Sequence, residues 1–331
     1  MSLRAERLPS IAALTRTATH VEPLTGVGFS GANLFRVRTP DGAFVLKRSR
    51  PDAEFTALRT NDRHGREAML LAEQALAEVW ECFECPYAAY AIEVGEIGLL
   101  LHDLSDALLP DVRAPLTDSQ EHLITGALAR MHARFWDRVP AREWLARPAD
   151  YCDLLAPCAV ADAEVFPPPV RDGLLRGWKS ALARLPHDIA ELLTSDGAEW
   201  EQRWAHLPQT FIHGDVKVAN FAITIDGRVC AFDWALAGTG PCTIDLGWYI
   251  AINASRLAFS KEMTIRRYRS QLELAMEKPI PGDLWRELED VAVICGARML
   301  LWSKALALDT GREGAREEWD WWVGRLGRLT R

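Results

Sequence analysis

Over the first hundred residues the pattern of apolar and polar positions is that of short strands with one helix among them. Residues 33–38 (Asn-Leu-Phe-Arg-Val-Arg) and 43–48 (Ala-Phe-Val-Leu-Lys-Arg) are β-like runs. Thr39-Pro40-Asp41-Gly42 between them is a turn sequence, so the pair predicts a hairpin. Residues 62–80 place Ala68, Leu71, Ala72, Ala75 and Val79 on one helical face. Residues 97–104 (Ile-Gly-Leu-Leu-Leu-His-Asp-Leu) read as a buried strand running into a polar stretch.

From about residue 115 the period changes to that of helices. Thr117 with Gln120 forms a capping box ahead of Ile124, Leu128, Met131 and Phe135 at helical spacing. Residues 140–205, rich in Trp, Leu and Pro, read as helices joined by irregular loops. Residues 221–225 and 228–232 predict a second hairpin about a two-residue Asp226-Gly227 turn. Everything from about 244 reads as helix. The class is α+β with two lobes: a sheet lobe over 1–104 ending in a connecting strand, and a mainly helical lobe over 105–331.

Composition narrows the function. A chain of 331 residues with 49% apolar and 25% charged residues has the balance of a globular protein large enough for two lobes. The net charge of −8 and the lack of a basic stripe argue against nucleic acid as a partner and suit a neutral or cationic substrate. The N-terminus carries charges where a signal peptide needs an apolar run. The most apolar stretch, 291–302, is interrupted by Arg298, so no membrane span is expected. Seven scattered cysteines fit reduced thiols in a cytoplasm.

The chemistry concentrates in Phe211-Ile-His-Gly-Asp-Val-Lys-Val-Ala-Asn220 and Ala231-Phe-Asp-Trp234. Asp215 and Asn220 share a loop, and the hairpin folds Asp233 back beside them. Magnesium is a hard ion that takes carboxylate and amide oxygens together with phosphates. Two such ligands and a free carboxylate are the minimum for phosphoryl transfer to a hydroxyl.

This segment resembles the catalytic core of the aminoglycoside phosphotransferase and choline kinase group, relatives of the protein kinases. That group carries H-G-D-x-x-x-x-N and an aspartate closing the next hairpin, often before tryptophan. Here the match is His213, Gly214, Asp215, Asn220 and Asp233-Trp234, with Gly240-Pro241 and Asp245-Leu246 resembling the family's opening of the next helix. The dense match covers about 35 residues. The resemblance implies a two-lobed protein-kinase-like fold with Asp215 as catalytic base and Asn220 and Asp233 as Mg2+ ligands. It implies that Lys217 contacts the γ-phosphate, His213 hydrogen-bonds the loop, and Asp245 caps the next helix and braces the loop.

The same resemblance asks for a nucleotide site in the N-terminal half. Gly26-Val-Gly28-Phe-Ser30-Gly31 lies between two strands where a phosphate-binding loop belongs, with Gly28, Ser30 and Gly31 as its candidate residues. Lys47, after Val45-Leu46, resembles the kinase strand lysine, with Phe44 and Leu46 on the opposite face. Glu67 is its candidate partner, Glu54 and Glu73 the alternatives. Leu100 to Asp103 would be the hinge, Leu101 and Asp103 offering backbone groups to the base of ATP or GTP. The expected partners are this nucleotide and a small hydroxylated molecule.

Other features have plainer readings. Cys82-Phe-Glu-Cys85 has zinc-like spacing but no matching second pair. His132 reads as a packing residue. Trp319, Trp321 and Trp322 pack the last helix or line a pocket, and Glu313, Glu317, Glu318 and Asp320 are a solvated face or a lure for cations. Eleven residues between Asp233 and Asp245 leave no room for a protein kinase's long activation segment. The presence of Asp215, Asn220, Asp233 and Lys47 argues against a decayed scaffold. Aminoglycosides, other antibiotics, choline-like amines and sugars all remain open as acceptors, with an antibiotic preferred.

Overall fold

The structure, a computed structural model, describes residues 5–24, 31–109 and 114–330. Its N-terminal part is a six-stranded sheet of β1 (Glu6–Arg7), β2 (His20–Leu24), β3 (Asn33–Thr39), β4 (Gly42–Ser49), β5 (Tyr87–Glu93) and β6 (Glu96–His102), in the order β1-β5-β6-β4-β3-β2. All neighbours are antiparallel except β1 with β5. The β3–β4 hairpin closes at Thr39 opposite Gly42, where the turn sequence places it. Side-chain alternation divides the sheet into two faces. Val37, Leu46, Ala89, Ala91 and Leu100 pack under Ile11 and Leu14 of the N-terminal segment. Tyr87, Tyr90, Ile97, Leu99 and Leu101 face the main core, and Lys47, opposite Leu99, lies on that side.

The helix expected over 62–80 is three short pieces. They are α2 (Arg66–Ala72), a 3-10 turn Gln74–Leu76 and α3 (Val79–Cys82), and a separate short helix, α1 (Phe55–Arg59), precedes them. Asp62 starts α2 by accepting the N–H groups of His64, Gly65 and Arg66 at 2.8–3.0 Å. Gly65 has φ +74°, and a Cβ there would lie 1.6 Å from the Ile97 side chain. At Glu73 the backbone turns extended, φ −85° and ψ 107°, and its carboxylate accepts the Ala75 N–H, which ends α2. Leu70, Leu76 and Val79 are buried, whereas Ala72 and Ala75 of the expected face are exposed.

The C-terminal part is helical: α4 (Asp118–Arg134), α5 (Pro148–Asp153), α6 (Pro168–Arg184), α7 (His187–Thr194), α8 (Gly197–Trp204), α9 (Thr243–Ile252), α10 (Lys261–Met276), α11 (Gly282–Asp309) and α12 (Ala315–Leu326). Both bonds of the Thr117–Gln120 capping box start α4. α11 is long and apolar enough to cross a membrane, but it is the central helix of this lobe, packed on α6, α9 and α12. Its Arg298 is fully buried and donates to the carbonyls of Cys152 and Leu193 and to the Asp153 carboxylate.

Two small strand pairs sit beneath the sheet lobe. β7 (Thr210–Ile212) pairs antiparallel with a strand absent from the sequence reading, β10 (Gly238–Gly240). Between them in the chain, β8 (Phe221–Ile223) pairs with β9 (Val229–Ala231). This hairpin closes differently from the expected two-residue turn. Thr224 N–H donates to the Arg228 carbonyl around a three-residue loop, with Gly227 at φ +79° taking the left-handed position.

Candidate active site

β7 delivers the loop His213–Lys217 to the cleft, and a 3-10 turn Val218–Asn220 carries the chain into β8. The loop is tied down by neighbouring elements. Asp245, in the first turn of α9, accepts the N–H groups of His213 (2.9 Å) and Gly214 (2.8 Å). It therefore braces the loop, but it does not cap its helix, which starts at Cys242 without a side-chain cap. Asn253, just past α9, accepts the Val218 N–H and donates to the Val216 carbonyl. Gly214 has φ +81°, and a Cβ there would meet the Leu236 carbonyl oxygen at 2.3 Å.

His132 is more than packing. Buried at the end of α4, it bonds Asp245 through Nε2 (3.1 Å) and the Tyr268 hydroxyl through Nδ1 (2.6 Å). His213 accepts the Asp215 N–H at Nδ1 and bonds the Phe232 carbonyl through Nε2, the pattern of a neutral imidazole. Burial lowers its pKa, which agrees.

The Asp215 carboxylate is held at both oxygens. Oδ2 accepts from Lys217 Nζ (2.7 Å) and Asn220 Nδ2 (3.0 Å), and Oδ1 accepts from the indole N–H of Trp248 (2.9 Å). Asn220 also donates to the Asp215 carbonyl. Burial would lower the Lys217 pKa, but the carboxylates of Asp215 and Asp233 raise it, so Lys217 stays an ammonium.

Asp233 follows β9 and lies beside Asn220, whose carbonyl accepts the Phe232 N–H at 3.1 Å. Its φ of +63° is a left-handed conformation that costs a non-glycine residue energy and clusters at functional sites. Lys47 Nζ sits 2.7 Å from Asp233 Oδ1 and 2.6 Å from Glu67 Oε2. Lys217 Nζ lies 3.8 Å from the other oxygen of Asp233. Glu67 Oε1 accepts the Tyr87 hydroxyl (2.5 Å) and the Asp233 N–H (3.1 Å). Glu67, on α2, is thus the partner of Lys47. Glu54 bonds Ser49 and the Arg50 N–H instead, and Glu73 pairs with Arg142. Burial would raise the Asp233 carboxyl and lower the Lys47 ammonium. Their mutual attraction overrides both, holding Asp233 well below the carboxylate range and Lys47 above the usual lysine value.

Of the candidate phosphate loop, Gly28 and Ser30 lie outside the described residues. Gly31 stands at φ +95° just before β3. Leu101 lies near the end of β6 and Asp103 just past it. The Asp103 N–H donates to the Ala43 carbonyl and the His102 N–H to the Pro86 carbonyl, so a base reaching Asp103 would meet its carbonyl. His102, exposed, rests against Phe44 with ring centroids 5.3 Å apart. Trp319 and Trp322 are buried in packing. Glu313, Glu317 and Asp320 face solvent, while Glu318 is paired with Lys261 and Lys304.

The donor set suits a hard divalent cation. Asn220 uses its amide N–H groups on Asp215, which leaves its amide oxygen as a donor, and the anionic Asp233 carboxylate is linked to the same group through Lys217. Trp248, Asn253, Tyr87 and the second role of His132 were missed from the sequence. A recoverable signal was Asp245-x-x-Trp248, a spacing that puts both side chains on one helix face.

Residues 24–277 match the sequence profile of the Phosphotransferase enzyme family. A comparison with curated protein sequences finds no match. Among solved structures, the chain resembles a protein assigned as an aminoglycoside phosphotransferase from Ralstonia eutropha JMP134, with TM-score 0.50 and 15% identity over 96% of this chain and 94% of that one. It also resembles the choline kinase LicA from Streptococcus pneumoniae, with TM-score 0.50 and 12% identity over 96% of both chains. LicA in complex with AMP gives TM-score 0.50 and 12% identity over 94% of both. At these identities the likeness is one of fold.

Proposed function

Because this chain belongs to the phosphotransferase enzyme family, we propose that it is a magnesium-dependent kinase that moves the γ-phosphate of ATP or GTP onto a hydroxyl of a small molecule. The observation that carries this reading is the junction of two charged groups: Asp215 with Lys217 and Asn220, and Asp233 with Lys47 and Glu67, joined where Lys217 approaches both aspartates.

Each residue has a part in that reaction. Asp215 receives the acceptor's hydroxyl proton. A positioned base of this kind contributes roughly 10²- to 10⁴-fold. Lys47, kept cationic and oriented by Glu67, reaches the α- and β-phosphates. Lys217 stands between base and metal-side carboxylate, where a γ-phosphate would pass. Asn220 and Asp233 would hold Mg2+, which supplies neutralisation of the phosphate charge. LicA in complex with AMP supports a nucleotide in this fold.

For the acceptor we favour an aminoglycoside or another hydroxylated antibiotic, with choline, amino alcohols and sugars as the alternative. The likeness to the Ralstonia protein supports the first class and that to a choline kinase the second. The test is consumption of ATP and of GTP with Mg2+ against a panel of both classes, with mass spectrometry for the gain of one phosphate. A phosphorylated product supports the reading and names the acceptor. Absence of both turnover and Mg2+-dependent nucleotide binding would overturn it in favour of a non-catalytic protein.

A further inference from the structure

We propose that Trp248 is a positioning residue for the phosphoryl transfer. Its indole N–H pins one lone pair of Asp215 Oδ1, so that the other lone pair of that oxygen is the one presented to the acceptor hydroxyl. The inference rests on the reading of Asp215 as the base and extends it to the atom.

A carboxylate has about four acceptor positions, two on each oxygen. On Asp215, Oδ2 already takes two donors, Lys217 Nζ and Asn220 Nδ2, while Oδ1 takes one, Trp248 Nε1. Oδ2 thus faces the side of Asp233 and the phosphates, since Lys217 bridges toward Asp233. Oδ1 retains capacity. The donor on Oδ1 is unlike the other two. An indole N–H is neutral, has a single proton to give and accepts none. It can orient the carboxylate without adding a cation beside the base and without competing for the proton.

The placement is built by one helix face. Asp245 and Trp248 are three residues apart on α9. The first accepts from the N–H groups of His213 and Gly214, the second donates to the side chain of Asp215. One turn of helix thereby grips three consecutive loop residues. α9 lies in close backbone contact with α11, since a Cβ on Gly247 would lie 2.2 Å from the Ala292 carbonyl oxygen of α11. Trp248 is 7% exposed, so the indole itself is held by packing. In the reaction the acceptor O–H proton passes to Asp215 Oδ1. The acceptor oxygen bonds to the γ-phosphorus, and the bond from that phosphorus to the β–γ bridging oxygen breaks. The nucleoside diphosphate leaves with that electron pair.

The experiment combines kinetics with a structural readout. Trp248→Phe removes the donor. Replacement of Trp248 by 3-benzothienylalanine removes it while keeping the bicyclic shape, which guards against a simple folding defect. Turnover is measured with Mg-ATP and the acceptor that the panel returns, or with water as acceptor if no panel member reacts. Both variants should lose roughly 10- to 100-fold in kcat, the scale of a misplaced catalytic group, with the KM for Mg-ATP unchanged within twofold. In ¹H–¹⁵N spectra of the wild-type chain, one indole N–H signal should vanish in Trp248→Phe and move upfield in Asp215→Ala. A benzothienyl variant with wild-type kcat, or a Trp248 signal indifferent to Asp215→Ala, overturns the inference and leaves the base assignment standing. Near-normal turnover in Asp215→Asn would instead remove the base assignment and this inference with it.

Discussion

Asp215 and Lys47 are both surrounded by partners, but their loss should have different consequences. Asp215 is bonded by neutral and cationic donors that an asparagine can still meet in part. Asp215→Asn should therefore keep the fold and Mg-nucleotide affinity, while kcat falls roughly 10²- to 10⁴-fold for want of a base; stopped-time assays beside nucleotide titration separate the two. Lys47 is the shared counter-charge of two carboxylates, Glu67 and Asp233, with Glu67 buried. Removing one member of a buried ion pair leaves an uncompensated charge and typically costs about 3–5 kcal/mol. Since Asp233 keeps some contact with solvent and with Lys217, Lys47→Met should cost toward the lower end, about 3 kcal/mol, read as a lower urea midpoint. The double variant Lys47→Met/Glu67→Gln should recover part of that loss. If Lys47→Met unfolds at the wild-type urea concentration, the pair is not a stabilising one.

Among the elements, those legible in the sequence were local. The capping box at Thr117, the turn at Thr39–Gly42 and the spacing from His213 to Asn220 each depend on a few neighbouring residues, and each is where the sequence puts it. The break at Glu73 was not legible. Six of the nine residues 68–76 are Ala or Leu, so a helical stripe can be drawn through them whether or not the helix continues, while the extended Glu73, whose carboxylate accepts the Ala75 N–H, ends it. α9 hides its function for the opposite reason. Every residue from Thr243 to Ala251 is buried, so apart from its spacing to Asp245 nothing singles out Trp248 from the core residues around it. α11 offers a test at this scale. Burial, then the neighbouring Glu289 charge, pushes the Asp290 carboxyl up to about 6. Between about pH 4 and pH 6 the unfolded chain has released this proton while the folded chain retains it, so stability falls as pH rises through that window. Asp290→Asn should thus raise stability at pH 8 by on the order of 1 kcal/mol, discounted for the partial exposure of the group, and leave it unchanged below pH 4. Thermal unfolding at both pH values gives the answer, and equal Tm shifts at pH 4 and pH 8 would exclude the mechanism.

For the molecule as a whole, the two lobes are joined by more than their connecting strand. The main core runs without interruption from Leu70, Leu76 and Val79 of the N-terminal part to α4, α9 and α11. Polar contacts follow the same route. Arg59 pairs with Asp162 and donates to the Asp153 carbonyl, Glu73 pairs with Arg142, and Phe55 packs on Phe166. Arg66 is the most committed of these contacts. It is 2% exposed, and its guanidinium donates to the Trp144 carbonyl (2.7 Å), the Thr60 carbonyl (2.6 Å) and the Thr60 hydroxyl (2.5 Å), with the Ala235 carbonyl at 3.5 Å. Trp144 and Ala235 belong to the helical lobe, Ala235 two residues past Asp233. Arg66 thus fastens α2, and with it Glu67, to the segment carrying Asp233. Arg66→Leu would leave buried carbonyls without donors, each costing about 1–3 kcal/mol. Of the 13 tryptophans, Trp80 alone precedes residue 105, so tryptophan fluorescence follows the helical lobe, while hydrogen exchange in β3 and β4 follows the sheet. In the wild type, the apolar core shared by both lobes should make both probes report one urea transition. In Arg66→Leu the sheet should lose protection first, at a lower urea concentration than the fluorescence change, and Mg-nucleotide affinity should fall because Glu67 no longer holds Lys47 against Asp233. Coincident transitions in Arg66→Leu would mean that the shared apolar core alone couples the lobes and that the guanidinium is dispensable to that coupling.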